Sequence, residues 1–187
     1  MSAKSSNRKV IVVEGVLIPP ANETTLKSSE AANKQNGTHF NNEDIEHRCR
    51  EFSADEITDD FVNEIQGKPV LDNHCQELVV GHVHSAHFTE SKLVTAIVML
   101  YPDTEAGKSV ISKLRSGEYS GFSAFHRFKV YEYSNGVQDC VKSPILEVSV
   151  CKKGRRNGTY IVRVGKHEMP QDQAISALVK SGEVFAS

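Results

Sequence analysis

The apolar positions of this chain fall into short β-branched runs far more often than into helical stripes. KVIVVEGVLIP at 9–19 is such a run, ended by Pro19-Pro20, and predicts a first strand. Leu78 to Phe88 and Leu93 to Tyr101 predict two more, joined by the polar turn Thr89-Glu90-Ser91-Lys92. Gly121 to Tyr133 reads as a strand, Ser134-Asn135-Gly136 as a hairpin turn, and Val137 to Val141 as its return. Ile145 to Cys151 alternates, with Leu146, Val148 and Val150 on one face and Glu147, Ser149 and Cys151 on the other. Tyr160 to Val164 is expected to pair with that strand across the turn KKGRRNG.

Helical spacing is rarer. Ser53-Ala-Asp-Glu56 is a capping-box pattern, followed by Ile57, Phe61, Val62 and Ile65 up to Gly67. A second helix fits 103–116, with Val110, Ile111 and Leu114 inward and Gly117 past its end, and a third fits 170–180. Residues 1–8 read as a flexible tail, and the polar, aperiodic stretch 20–38 as a surface loop. The predicted class is mainly β with α: a closed antiparallel β-barrel of about seven strands surrounded by several helices, since closure removes exposed edges. One domain over 1–187 is expected from the length.

Composition narrows the function. With 22 Lys plus Arg against 24 Asp plus Glu, and no Trp, the chain lacks the basic and aromatic surface of a nucleic-acid binder. No apolar run reaches the roughly 18 residues of a membrane span, and the polar start is no signal peptide. No membrane or nucleic-acid partner is therefore expected. In the intracellular, reducing setting this suggests, Cys49, Cys75, Cys140 and Cys151 read as free thiols, and the sequons at Asn22, Asn36 and Asn157 as chance matches.

Three polar residues stand where they could do chemistry together. Ser123 lies in GEYSGFSAF just after Gly117 and Gly121, His74 ends a short extended segment set by Pro69, and Glu147 interrupts an apolar strand. A serine hydroxyl becomes a useful nucleophile when an imidazole takes its proton, and a carboxylate can orient that imidazole. Ser123, His74 and Glu147 can be cast in those roles, with Asp72 and Glu77 as local rivals for the third. The cationic turn Lys152-Lys153-Gly154-Arg155-Arg156 could stabilise a developing oxyanion, or simply be solvated or serve nuclear import.

These motifs resemble a known family. VLDNH followed by VVGHV is similar to the LPLNxNH…VGHV segment of herpesvirus assemblins, the maturational proteases of capsid assembly. SGEYSGFS resembles their SGSYAGLS, which carries the nucleophile, and EVSVCKKGRRNGT resembles their HVALCxxGRRxGT. The three occur in the family's order over 67–164, with a more distant similarity to the prohead proteases of tailed phages. The resemblance implies a serine endopeptidase with Ser123 as nucleophile, His74 as base, and Arg155 and Arg156 as oxyanion hole, through the backbone N–H of the first and a water held by the second. Assemblins usually carry a second histidine where this chain has Glu147, so the triad would be a Ser-His-Glu variant. It further implies no cofactor, a homodimer built through helices, and cleavage of capsid scaffold protein at Ala–Ser bonds, with indirect contact to the major capsid protein. The setting would be a procapsid in the host nucleus, or the bacterial cytoplasm for a phage. Val184-Phe185-Ala186-Ser187 fits a self-cleavage site at Ala186 and Ser187.

Two other readings compete. His82 and His84 share a strand face near His74, Cys75 and His87, the start of a zinc-binding module or metallohydrolase. A non-enzymatic capsid scaffold or assembly protein with a decayed triad is the second.

Overall fold

The computed structural model describes residues 8–19, 49–132, 134, 138–156 and 158–179. The loop expected at 20–38, nearly all of the tail at 1–8 and the cleavage site expected at 184–187 lie outside them.

The strands are β1 (Lys9–Ile18), β2 (Pro69–Asp72), β3 (Val79–Phe88), β4 (Val94–Leu100), β5 (Gly121–Phe125), β6 (Phe128–Glu132), β7 (Gln138–Lys142), β8 (Glu147–Cys151), β9 (Tyr160–Val164) and the two-residue β10 (Met169–Pro170). Three helices lie wholly within the described residues, α1 (Asp59–Ile65), α2 (Glu105–Arg115) and α3 (Gln171–Val179).

Seven strands run in the order β5-β8-β2-β3-β4-β1-β9. The ring nearly closes where the Ile161 N–H, in β9, donates to Ser120 O just before β5 at 2.8 Å. The result is a nearly closed mixed β-barrel with helices outside, as the apolar runs predict. It is mixed because β2 and β8 are parallel, Leu71 lying beside Ser149. That pairing corrects the expectation of a wholly antiparallel barrel; it joins strands some 75 residues apart, beyond what local pattern can signal. A second correction concerns β9, which pairs with β1 rather than β8. The turn before it folds over β5 and carries the chain across to the far edge.

Apolar residues of every barrel strand meet inside, among them Val13, Leu17, Val70, Val83, Val98, Phe122 and Val150, all buried. Their removal from water is the main force closing the sheet. α2 seals one end with Val110, Ile111 and Leu114. The Thr104 hydroxyl accepts from Gly107 N at 3.0 Å to start it. The capping box at Ser53 forms, but around one 3-10 turn, Ala54–Glu56. Ile57 is then extended, and Thr58 caps α1 anew by accepting from Phe61 N.

The predicted strand from Gly121 breaks at His126-Arg127, so β5 stays in the barrel while β6 and β7 form a separate hairpin. Cys49 and Cys140 are joined by a disulfide, correcting the expectation of four free thiols; Cys75 and Cys151 are free. The 91-residue separation of Cys49 and Cys140 gave no spacing cue.

Candidate active site

The site lies where β2, β8 and β5 run side by side. In the antiparallel β5–β8 pair Ser123 stands directly opposite Ser149, and Phe125 opposite Glu147. Alternation therefore sends Ser123, Glu147 and Ser149 to one face. All three are buried. On the other side of β8, β2 ends at Asp72 and the chain turns sharply through Asn73 (φ 48) and His74 (φ 63).

Two successive left-handed residues without glycine are costly, on the order of 1–3 kcal/mol each, and persist only where the surroundings hold them. Here the Asn73 N–H donates to Val150 O at 3.1 Å and the Cys75 N–H to Asp72 O at 2.9 Å. The His74 N–H donates to the Ser149 hydroxyl at 2.9 Å.

That turn aims the imidazole between the other two groups. His74 Nε2 lies 2.9 Å from Ser123 Oγ, and Nδ1 lies 2.5 Å from Glu147 Oε1. An ionised carboxylate only accepts, so the ring proton sits on Nδ1 and the bare Nε2 accepts from the Ser123 hydroxyl. Glu147 is 5 % exposed at its side chain, whereas His74 is 41 % exposed. A buried carboxylate needs donors, and the second oxygen of Glu147 receives the Ser149 hydroxyl at 2.9 Å.

The rivals for the acid are engaged elsewhere or exposed. Asp72 accepts from Tyr119 Oη at 2.7 Å and from Lys113 Nζ at 3.3 Å. Glu77 is exposed. His82 Nδ1 pairs with the Tyr101 hydroxyl at 2.8 Å, and among the described residues no group of three or more His, Cys, Asp or Glu side chains gathers as a metal site. The Cys151 thiol is buried against Gly121 O, and burial pushes its pKa up to about 11, which leaves it unreactive.

In front of Ser123 opens a cavity of about 590 Å³ lined by His74, Phe125, His126, Phe128, Arg155 and Arg156, with Arg50 and Glu51 on one wall. The cationic turn reaches it because Gly154 packs directly on β5. A Cβ on Gly154 would meet Phe122 O at 2.2 Å, and one on Gly121 would meet Gly154 N at 2.4 Å. Arg155 is exposed and Arg156 buried. The Arg156 guanidinium donates through Nε to Arg50 O at 3.0 Å and through Nη1 to Ala124 O at 3.0 Å. Its Nη2 also faces His126 Nδ1 at 3.4 Å. Burial works against its charge, and Glu51 nearby offsets part of that. So Arg156 arrives at the cavity as expected, but its fork is used largely to bind the 49–52 segment to β5.

A serine, an imidazole and a carboxylate in this relay can pass a proton from the hydroxyl to the ring while the carboxylate steadies the resulting cation. Sequence reasoning missed Ser149 and His126. Ser149 could have been found from the Glu-x-Ser spacing, which puts both side chains on one strand face. His126 carried no such signal.

The architecture is that of the assemblin-like fold. Among solved structures, the chain is similar to the KSHV protease crystallised with a hexapeptide phosphonate inhibitor, at a TM-score of 0.51 and 17 % identity, over 84 % of this chain and 66 % of that one. This chain thus spans just under two thirds of that protein's length. No family model and no curated protein matches it.

Proposed function

We propose that this chain is a serine endopeptidase acting through an acyl-enzyme. The observation that carries the reading is the unbroken Ser123–His74–Glu147 relay, at 2.9 and 2.5 Å, opening on a cavity. It stands on a fold shared with a viral protease. Ser123 Oγ attacks the substrate carbonyl as its proton moves to His74 Nε2, forming the Oγ–C bond. His74 then gives that proton to the leaving amine as the C–N bond breaks. Water, deprotonated by the same nitrogen, cleaves the ester and restores the hydroxyl. Glu147 holds the Nδ1–H tautomer throughout. Arg155, by its backbone N–H, and Arg156, beside it, would stabilise the oxyanion.

The substrate proposed is a capsid scaffold protein, cut at Ala–Ser bonds during capsid maturation by a homodimer in the host nucleus, with self-release between Ala186 and Ser187. The three sequence motifs support this finer reading. The test is an extended precursor carrying Ser123→Ala beside wild type. Wild type is expected to yield a product ending at Ala186 by mass spectrometry and the variant none; processing by a folded Ser123→Ala variant sinks the proposal.

A further inference from the structure

Ser149 lies outside the three-residue relay, yet it touches two of its members at once. Its hydroxyl donates to Glu147 Oε2 at 2.9 Å, and its oxygen accepts the backbone N–H of His74 at 2.9 Å. The side chain is fully buried, so water cannot replace either contact. We infer that Ser149 is a positioning residue that sets the base and its carboxylate partner against each other, a role that rests on the protease reading above.

The geometry gives it leverage on both ends of the relay. A carboxylate bound only through Oε1 can pivot about its own side chain. With Oε2 held, the other oxygen is committed to Nδ1. The imidazole hangs from a backbone with φ 63, a left-handed conformation that a residue bearing a Cβ tends to leave without an anchor. The His74 N–H bond is one such anchor, and it comes from the same hydroxyl. Ser149 itself is fixed by strands on both sides, opposite Ser123 in β5 and beside Leu71 in β2. One buried oxygen therefore references nucleophile strand, base and acid to a common frame. Preorganisation of this kind acts on the chemical step rather than on folding.

The test uses the full chain and a fluorophosphonate, which labels an activated serine. Ser149→Ala is expected to label at Ser123 about ten- to a hundredfold more slowly, the loss that one hydrogen bond to a charged group accounts for. The proton resonance of His74 Nδ1 should broaden or vanish through faster exchange, which a merely structural defect would not single out. Ser149→Thr keeps the hydroxyl and should recover most of the rate. A folded Ser149→Ala that labels at the wild-type rate overturns the inference and leaves the protease reading standing. Wild type that does not label at Ser123 overturns both. Should the alanine variant fail to fold, Ser149→Cys, a weak donor of similar size, must still label slowly; a wild-type rate there also overturns it.

Discussion

Arg156 and His126 face each other inside the cavity wall, Nη2 to Nδ1 at 3.4 Å, while the far nitrogen of the same ring, Nε2, donates to Cys49 O at 2.8 Å. The carbonyl can only accept, so the proton sits on Nε2 and the neutral ring presents a bare nitrogen to the guanidinium. Burial, and then the Arg156 charge, hold the His126 pKa below its ordinary 6.5, against an upward pull from the Cys49 carbonyl. His82 and His84 are lowered too, mainly by burial.

A lowered histidine pKa means that the unfolded chain binds protons the folded one refuses. The stabilising contribution is whole above 6.5 and is lost as pH falls towards the folded-state values. Denaturant midpoints should therefore drop as pH falls below 6.5. His126→Gln, which offers an amide donor to Cys49 and a carbonyl to Arg156, should make that slope shallower. An unchanged slope would remove His126 from the account.

Glu147→Gln should disable the proposed relay while keeping its shape. The amide can present N–H to Nδ1, which then must carry no proton, so the ring turns its own proton towards Ser123. On the mechanism above, kcat should fall on the order of 10³–10⁴-fold with KM little changed. Steady-state kinetics on an Ala–Ser peptide measure it, and a loss confined to KM contradicts the assignment.

Gly154→Ala should separate the cationic turn from β5. The added carbon would lie 1.8 Å from Thr159 Oγ1 and 2.2 Å from Phe122 O, so the turn must move. Stability should fall by about 1–3 kcal/mol, the usual range for overpacking. Fluorophosphonate labelling of Ser123 should slow as well, because Arg155 and Arg156 move with the backbone. Wild-type labelling in the folded variant would detach the turn from the site.

Reduction of Cys49–Cys140 should lower stability by about 2–4 kcal/mol, as expected for releasing a long closed loop. Labelling should weaken with it, since Cys49 and Arg50 supply the carbonyls that hold His126 and Arg156. Cys140→Ser should reproduce both effects without reductant; a variant with the oxidised protein's midpoint argues against them.

The barrel was legible because its strands are short, β-branched and spaced by turn residues, and α2 because Val110, Ile111 and Leu114 share one stripe. Ser123 and His74 could be paired from motif resemblance, and Glu147 from its isolation on an apolar strand. What escaped was whatever depends on distant partners. The parallel β2–β8 contact, which brings residue 74 to 147, has no local signature. Neither has the bond between Cys49 and Cys140, nor the choice of β1 over β8 by β9. Arg156 was legible as a cation at the site, but its three bonds to two backbone carbonyls depend on where residues 50 and 124 come to rest.

The cystine has one more effect, on how the molecule survives being cut. It closes a ring that contains the turn at Thr89, Glu90 and Ser91, whose residues are exposed. A single nick there would put His74 on one piece and Ser123 with Glu147 on the other. The pieces would stay tethered through sulfur and migrate as one species on a denaturing gel. Only added thiol would part them.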